Sequence, residues 1–327
     1  MRIAFTSCFS AESFRKQPVW DEIAASEPDH LVLLGDSIYL DCGDIGGIAD
    51  LQQLSDTAFA TRALDLYRQQ VAIANFHLLV ARAGLSTHVI WDDHDFLWND
   101  ADGAGMDTHP RYGGFVHASR AAFACFAESL RSRLAQPIPY VSQVDWAGAR
   151  APGYRLVDLG GGVQLHLTDG RTWRGAGALL GATQFAALVK EITARPDEVH
   201  LIASGSVFEA SSGNCWLDSE VEHDALLELA RTYRLLILSG DIHDNNLAAY
   251  DVGGGRHLYE VTSSGAAVKT RVTSGSLQRN WGSIDIGPRS ISYGIWKRGA
   301  KQYEGTIDRA SWRVRPSRLG QPAAVRA

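Results

Sequence analysis

Four short apolar runs in this sequence each break off at residues that can bind cations. Ile3-Ala4-Phe5 leads to Thr6-Ser7-Cys8, and Leu31-Val32-Leu33-Leu34 leads to Gly35-Asp36. His88-Val89-Ile90-Trp91 runs into Asp92-Asp93-His94-Asp95, and Leu235-Leu236-Ile237-Leu238 into Ser239-Gly240-Asp241-Ile242-His243. In open α/β sheets ligands bind beyond the carboxyl ends of the strands. Any one of these residues has an ordinary reading, since Gly-Asp after a strand is a common turn and a lone histidine usually a satisfied core or surface group. Four at equivalent positions are harder to place without a cation, because packed carboxylates repel and raise one another's pKa.

The ligand types narrow the chemistry. Carboxylates with imidazole suit a hard or borderline cation, and the Cys8 thiolate with the Tyr39 phenol, three residues after Asp36, would suit ferric iron. Carboxylate oxygens would accept calcium, magnesium or manganese beside it. The acid density points to two or more ions around a bridging carboxylate, the arrangement that clamps attacking and leaving oxygens in phosphoryl transfer. Phosphate-ester hydrolysis is the leading reaction class, by direct attack of a metal-held hydroxide. His94 offers an imidazole whose unperturbed pKa of about 6.5 suits an acid or hydrogen-bond donor. Asp92 or Asp95 would orient its ring or cap the turn. Arg171, just past the run Val163–Leu167, would hold the non-bridging oxygens or pair within the acidic wall.

The elements that position these residues alternate as in an α/β fold. Trp20, Ile23 and Ala24 share one helical face. Residues 58–83 read as one long amphipathic helix through Leu64, Tyr67, Val71, Ala74 and Leu78. Further helices are expected at about 116–135 and 219–232, a surface loop near 101–114, and strands at 163–167, 199–202 and 258–262, with shorter strands and turns beyond. No repeat or Pro/Ser-rich linker divides the chain, so 1–327 is expected to be one domain.

Of 327 residues 45% are hydrophobic and 21% charged, which excludes disordered and low-complexity classes, and the net charge of −6 offers no field for nucleic acid. Cys8, Cys42, Cys125 and Cys215 form no C-x-x-C pair, which argues against a disulfide scaffold or zinc ribbon. With no secretory leader pattern and no membrane-length apolar stretch, a cytoplasmic protein is expected. From Lys297 onward eight bases face two acids, a solvated basic tail or a substrate-attracting patch. Trp98, Trp173 and Trp216 lie near the candidate segments, as core residues or as walls for a flat leaving group.

Taken in order, Ser7-Cys8-Phe9, Leu34-Gly35-Asp36-Ser37-Ile38-Tyr39, Trp91-Asp92-Asp93-His94-Asp95 with Asn99-Asp100, Asp169-Gly170-Arg171 and Ser239-Gly240-Asp241-Ile242-His243 resemble the PhoD-like alkaline phosphatases, a branch of the calcineurin-like metallophosphoesterases. Gln17-Pro18-Val19-Trp20, Leu180–Gln184 and Glu260–Ser264 add to the match, which spans about residues 3–265. The resemblance implies a four-layer sandwich, two packed mixed β-sheets flanked by α-helices. It also implies that Asp36 bridges the ions, Cys8 and Tyr39 bind the iron-like one, Asp93 binds the second, His94 contacts the phosphate or the departing oxygen, and Asp241 and His243 complete the shell. Asn99 joins Asp92 and Asp95 as a supporting residue. Iron with calcium is the implied metal set, with zinc, manganese or magnesium as alternatives, and the implied partner is a small phosphate ester. The wider superfamily's first Asp-x-His motif is replaced by Ser7-Cys8, and Ser204-Gly205-Ser206 stands where its middle histidine would be sought. Secreted members carry a twin-arginine signal and an N-terminal strand domain, neither of which is expected here.

Other chemistries fit less well. A cysteine phosphatase needs an arginine six positions after its nucleophile, and position 14 is Phe14. Ser7 and Ser37 qualify as nucleophiles by proximity only. Gly175-Ala176-Gly177 lacks the third glycine of a dinucleotide fingerprint. A catalytically silent metal- or phosphate-binding protein keeping the same fold is the alternative from another class.

Overall fold

The computed structural model describes residues 1–210, 214–272 and 274–315. The first half holds β1 (Arg2–Thr6), α1 (Val19–Ala25), β2 (His30–Leu34), α2 (Ile48–Leu51), α3 (Asp56–Val71), α4 (Ala74–Val80), β3 (Ser86–Ile90), α5 (Asp93–Phe96) and α6 (Gly113–Arg131). Next come β4 (Arg155–Asp158), β5 (Val163–Leu167), α7 (Ala182–Ala194), β6 (Val199–Ser204), α8 (Glu220–Ala230), β7 (Arg234–Ser239), β8 (Asn245–Gly253) and β9 (Arg256–Ser263). A small hairpin, β10 (Lys269–Arg271) and β11 (Ser274–Leu277), precedes β12 (Asn280–Ile286), β13 (Ser290–Lys297), β14 (Ala300–Asp308) and β15 (Arg313–Arg315).

Two mixed sheets result. The first runs β15-β14-β13-β12-β1-β2-β3, with β1, β2 and β3 parallel and the C-terminal strands antiparallel. The second runs β4-β5-β6-β7-β9-β8, with four parallel strands between antiparallel edges. Because side chains alternate along a strand, each sheet fills two cores. Ile3, Phe5, Val32 and Leu34 point between the sheets onto Leu165, Leu201, Leu236 and Leu238, while Ala4, Leu31 and Leu33 face α1, α3, α4 and α6. On the far side Ile202, Leu235 and Ile237 pack under Leu188 and Ile192 of α7 and Leu226 of α8. The order is helices, sheet, sheet, helices, the expected α/β sandwich.

The single helix expected over 58–83 is two. Ile73 adopts an extended conformation (φ −63°, ψ 115°) between α3 and α4. The break turns α4 so that Phe76, Leu79 and Val80 go inside, Phe76 against Trp20 with ring centroids 4.8 Å apart, while Leu78 is 73% exposed. One unbroken face would have buried Leu78 instead. Beyond Leu277 the strands are not short: β12, β13 and β14 span seven to nine residues and extend the sheet that β1 starts. The basic stretch after Arg315 lies outside the described residues.

Candidate metal centre

Parallel strands from both sheets end at the same place. Cys8 follows β1, Asp36 follows β2, Asp92 and Asp93 follow β3, and Asp241 and His243 follow β7. Cys8, Asp36, Asp241 and His243 take positive φ (60°, 50°, 69° and 51°), a left-handed conformation that costs a non-glycine residue on the order of 1 kcal/mol or more. Four such backbone conformations coincide at one point.

Ligand atoms converge accordingly. Cys8, Asp36 and His243 each place one ligand atom within 4.8 Å of the others, as do Asp36, Asp93 and His94, and also Asp36, Asp92, Asp93 and Asp241. Asp36 belongs to all three groups, the position a bridging carboxylate would take. Cys8 Sγ lies 3.4 Å from Asp36 Oδ2, and the Tyr39 hydroxyl 3.0 Å from His243 Nε2. His243 Nδ1 donates to the Thr270 carbonyl at 3.2 Å, which leaves Nε2 as its lone-pair nitrogen, aimed beside Tyr39. Glycines admit the crowding: a Cβ at Gly35 (φ 96°) would come 2.5 Å from Asp92 Cβ, and one at Gly205 within 2.6 Å of the Asp92 carboxylate.

The electrostatics favour a cation. Burial, then the neighbouring Cys8 and acids, pushes Asp36 well above the usual carboxylate range, and burial with Asp92 and Asp93 does the same to Asp241. Burial also raises the Cys8 thiol and the Tyr39 phenol. Asp36 Oδ1 is buried without a hydrogen-bond partner. Such groups ionise together only with positive charge among them, and the mixed set of thiol, phenol, imidazole and carboxylates fits metal ions.

His94 sits 5% exposed on α5, and its Nδ1–H donates to Asp41 Oδ1 at 2.6 Å. Burial would lower the imidazole pKa, but Asp93 and Asp41 overcome it and raise the value to about 9. The ring's partner is therefore Asp41, not Asp92 or Asp95. Asp95 instead accepts from the Ser37 and Asp92 N–H groups and from the Tyr67 hydroxyl, tying the β2 and β3 loops together. Asn99 supports through its backbone: its N–H donates to Asp41 Oδ2 at 2.9 Å, while its side chain turns outward to Asp100. Asp41, the second acid of the loop that carries Asp36, gives no signal in the sequence, because five residues of irregular chain have no period to read.

Arg171 is fully buried, with Nε donating to Asp92 Oδ1 at 2.5 Å and Nη2 lying 3.8 Å from Asp93 Oδ1. The ion pair in the acidic wall is thus the arrangement present. Burial would raise Asp93, but Arg171, His94 and the Asp100 N–H hold it well below the usual range. Asp169 fastens the same region by accepting from Trp91 Nε1 at 2.7 Å and from Thr172. Of the three tryptophans, Trp216 is core, Trp98 packs edge-on against Tyr112, and Trp173 is 41% exposed.

The sequence model of the PhoD-like phosphatase family matches residues 3–287, and the chain belongs to that family. The solved structure described as that of PhoD shares the fold at a TM-score of 0.71 with 16% identity, covering 99% of this chain and 73% of that one. TT1561 of Thermus thermophilus (11% identity, 96% of each chain, TM-score 0.39) is a remoter match. So is zinc-complexed Vps29 of Entamoeba histolytica (8% identity, 94% of this chain and 99% of that one, TM-score 0.37). No curated protein matches the chain significantly. Among the described residues no helix is long and apolar enough to cross a membrane.

Proposed function

We propose that this protein hydrolyses small phosphoric esters, mono- or diesters, at a centre in which Cys8, Asp36, Tyr39, Asp93, Asp241 and His243 hold two or more metal ions. The observation that carries the reading is Asp36, a buried carboxylate with an unpartnered oxygen, common to three groups of converging ligand atoms. The Cys8, Tyr39 and His243 side favours an iron-like ion, and the side with Asp92, Asp93 and Asp241 favours calcium, magnesium or manganese. When bound, such ions activate water and neutralise phosphoryl charge.

The chain's own residues supply the rest. Asp41 accepts from His94 Nδ1, which leaves Nε2 for the departing oxygen, and its buried charge favours the protonated ring. Arg171 and the short helix α5 hold Asp92 and Asp93 in register with Asp36. Strands β12–β15 are hydrogen-bonded into the sheet of β1–β3, which supports reading the chain as one domain.

Metal analysis of the purified protein, followed by assays on aryl phosphate mono- and diesters before and after chelation, tests this. Bound metal with metal-restored hydrolysis is expected. Stoichiometric metal without turnover would identify a silent binding protein, and no metal at all would remove the centre.

A further inference from the structure

Arg171 and Arg174 stand three residues apart after β5 and are both buried, yet their charges are met differently. Arg171 pairs through Nε with Asp92, its charge met by a carboxylate although its buried Nη2, 3.8 Å from Asp93, has no hydrogen-bond partner. Among the described residues Arg174 hydrogen-bonds no carboxylate: Nη1 donates to Asn214 Oδ1 and Nη2 to Ser206 Oγ at 3.0 Å. Asn214 Oδ1 also accepts from Arg171 Nη1 at 3.1 Å, so one neutral amide oxygen serves two guanidinium groups. A buried cation with only neutral partners is unfavourable unless an anion completes it.

Location separates the two further. Arg171 has no exposed side-chain surface, whereas Arg174 lines a cleft of about 370 Å³ with Asn214, the turn Gly175–Ala178 and the carboxylates Asp100, Asp102 and Asp218, so its guanidinium is the cation that an anion entering among those acids would meet. Burial and Arg171 lower the Arg174 pKa, while Asp92, Asp93 and Asp241 oppose them, which puts its guanidinium within electrostatic reach of the acid cluster. The Arg174 carbonyl is held by the Ala104 N–H at 2.9 Å, so the residue is anchored at its backbone.

We propose that Arg174, not Arg171, is the guanidinium that grips the phosphoryl oxygens of substrate and product, resting on the phosphatase reading above. It exchanges the Asn214 amide for two oxygens of a tetrahedral phosphate, the planar fork matching that geometry. Arg171 is the positioning residue, holding Asp92 and Asn214 in place.

The test is orthophosphate binding to the metal-loaded protein by calorimetry, with metal content and melting temperature measured on the same samples. Wild type binds orthophosphate. Arg174→Ala weakens it by roughly tenfold or more, as expected for a charge-assisted contact, and Arg174→Lys falls between. Asn214→Asp, which supplies the missing carboxylate, weakens binding too and carries the test if Arg174→Ala does not fold. Unchanged affinity in Arg174→Ala or, failing that, in Asn214→Asp overturns the assignment. So does wild type that binds no orthophosphate, or weakening that tracks metal loss. If orthophosphate binding depends on Arg174 but esters are not turned over, the hydrolase reading fails and the anion site stands.

Discussion

His94 and Asp41 are joined by a 2.6 Å hydrogen bond between two almost fully buried side chains, one on α5 and one in the loop after β2. The bond lowers the pKa of Asp41 against the effect of its burial and raises that of His94. Asp41→Asn keeps the shape and removes the charge. We expect kcat to fall by roughly 10- to 100-fold with metal content retained, by analogy with the loss of outer partners of site histidines. Steady-state kinetics beside metal analysis would decide it. Unchanged kcat would mean that the ring needs no anchor.

Asp36→Asn should lower metal content and abolish turnover together, and it has a second signature in the chelated protein. An acid whose folded pKa lies above its unfolded value near 4 stabilises the fold fully below that value, and the contribution is lost as pH rises through the folded pKa. Asp36 and Asp241 are both raised. Chelated wild type should therefore melt lower at pH 8 than at pH 6, restored metal should reverse the loss, and chelated Asp36→Asn should show a smaller drop. Equal melting temperatures at the two pH values without metal would contradict the electrostatic account.

The strand ends are legible because alternating or continuous apolar runs are short-range signals, and the residue that follows each run is then known by position. Cys8, Asp36, Asp93, His94, Asp241 and His243 are singled out as candidates that way. The break at Ile73 is not, since a helix boundary inside an apolar face depends on which neighbour the second half must meet, here Trp20. Asp41 and Arg174 escape for a related reason. Asp41 matters only because β3 delivers His94 beside it, and Arg174 only because no carboxylate among the described residues hydrogen-bonds it.

Cys8→Ser replaces the thiol by a smaller, harder donor. If Cys8 binds an iron-like ion, the variant should lose that metal selectively and any long-wavelength absorption with it, while ions on the Asp93 side remain. An unchanged metal ratio and spectrum would exclude Cys8 as a ligand. The substitution is mild for the fold, because Ser7 and Ser264 hydroxyls already surround the sulfur at 3.3 Å and 3.2 Å.

Away from the centre, β5 and β6 bury a one-way chain of hydrogen bonds. His200 Nε2–H donates to the Arg195 carbonyl at 3.1 Å, so His200 Nδ1 accepts from His166 Nε2 at 2.9 Å, and His166 Nδ1 accepts from the Tyr154 hydroxyl at 2.8 Å. Each ring must be neutral for the chain to close. Burial, with His200 and Arg195 nearby, lowers His166 to about 3, and burial lowers His200. A histidine depressed in the folded state stabilises it above the unfolded pKa near 6.5 and loses that contribution as pH falls toward the folded value. Wild type should thus lose stability between about pH 6.5 and 4. His166→Leu leaves His200 Nδ1 without its donor and should cost about 1–3 kcal/mol at pH 8. It removes one of the protons taken up on acid unfolding, so its melting temperature should fall less steeply over the same range. His88, lowered to about 4 beside His30, keeps part of the slope in both proteins. A variant as acid-sensitive as wild type would show that His166 is not held neutral by this chain.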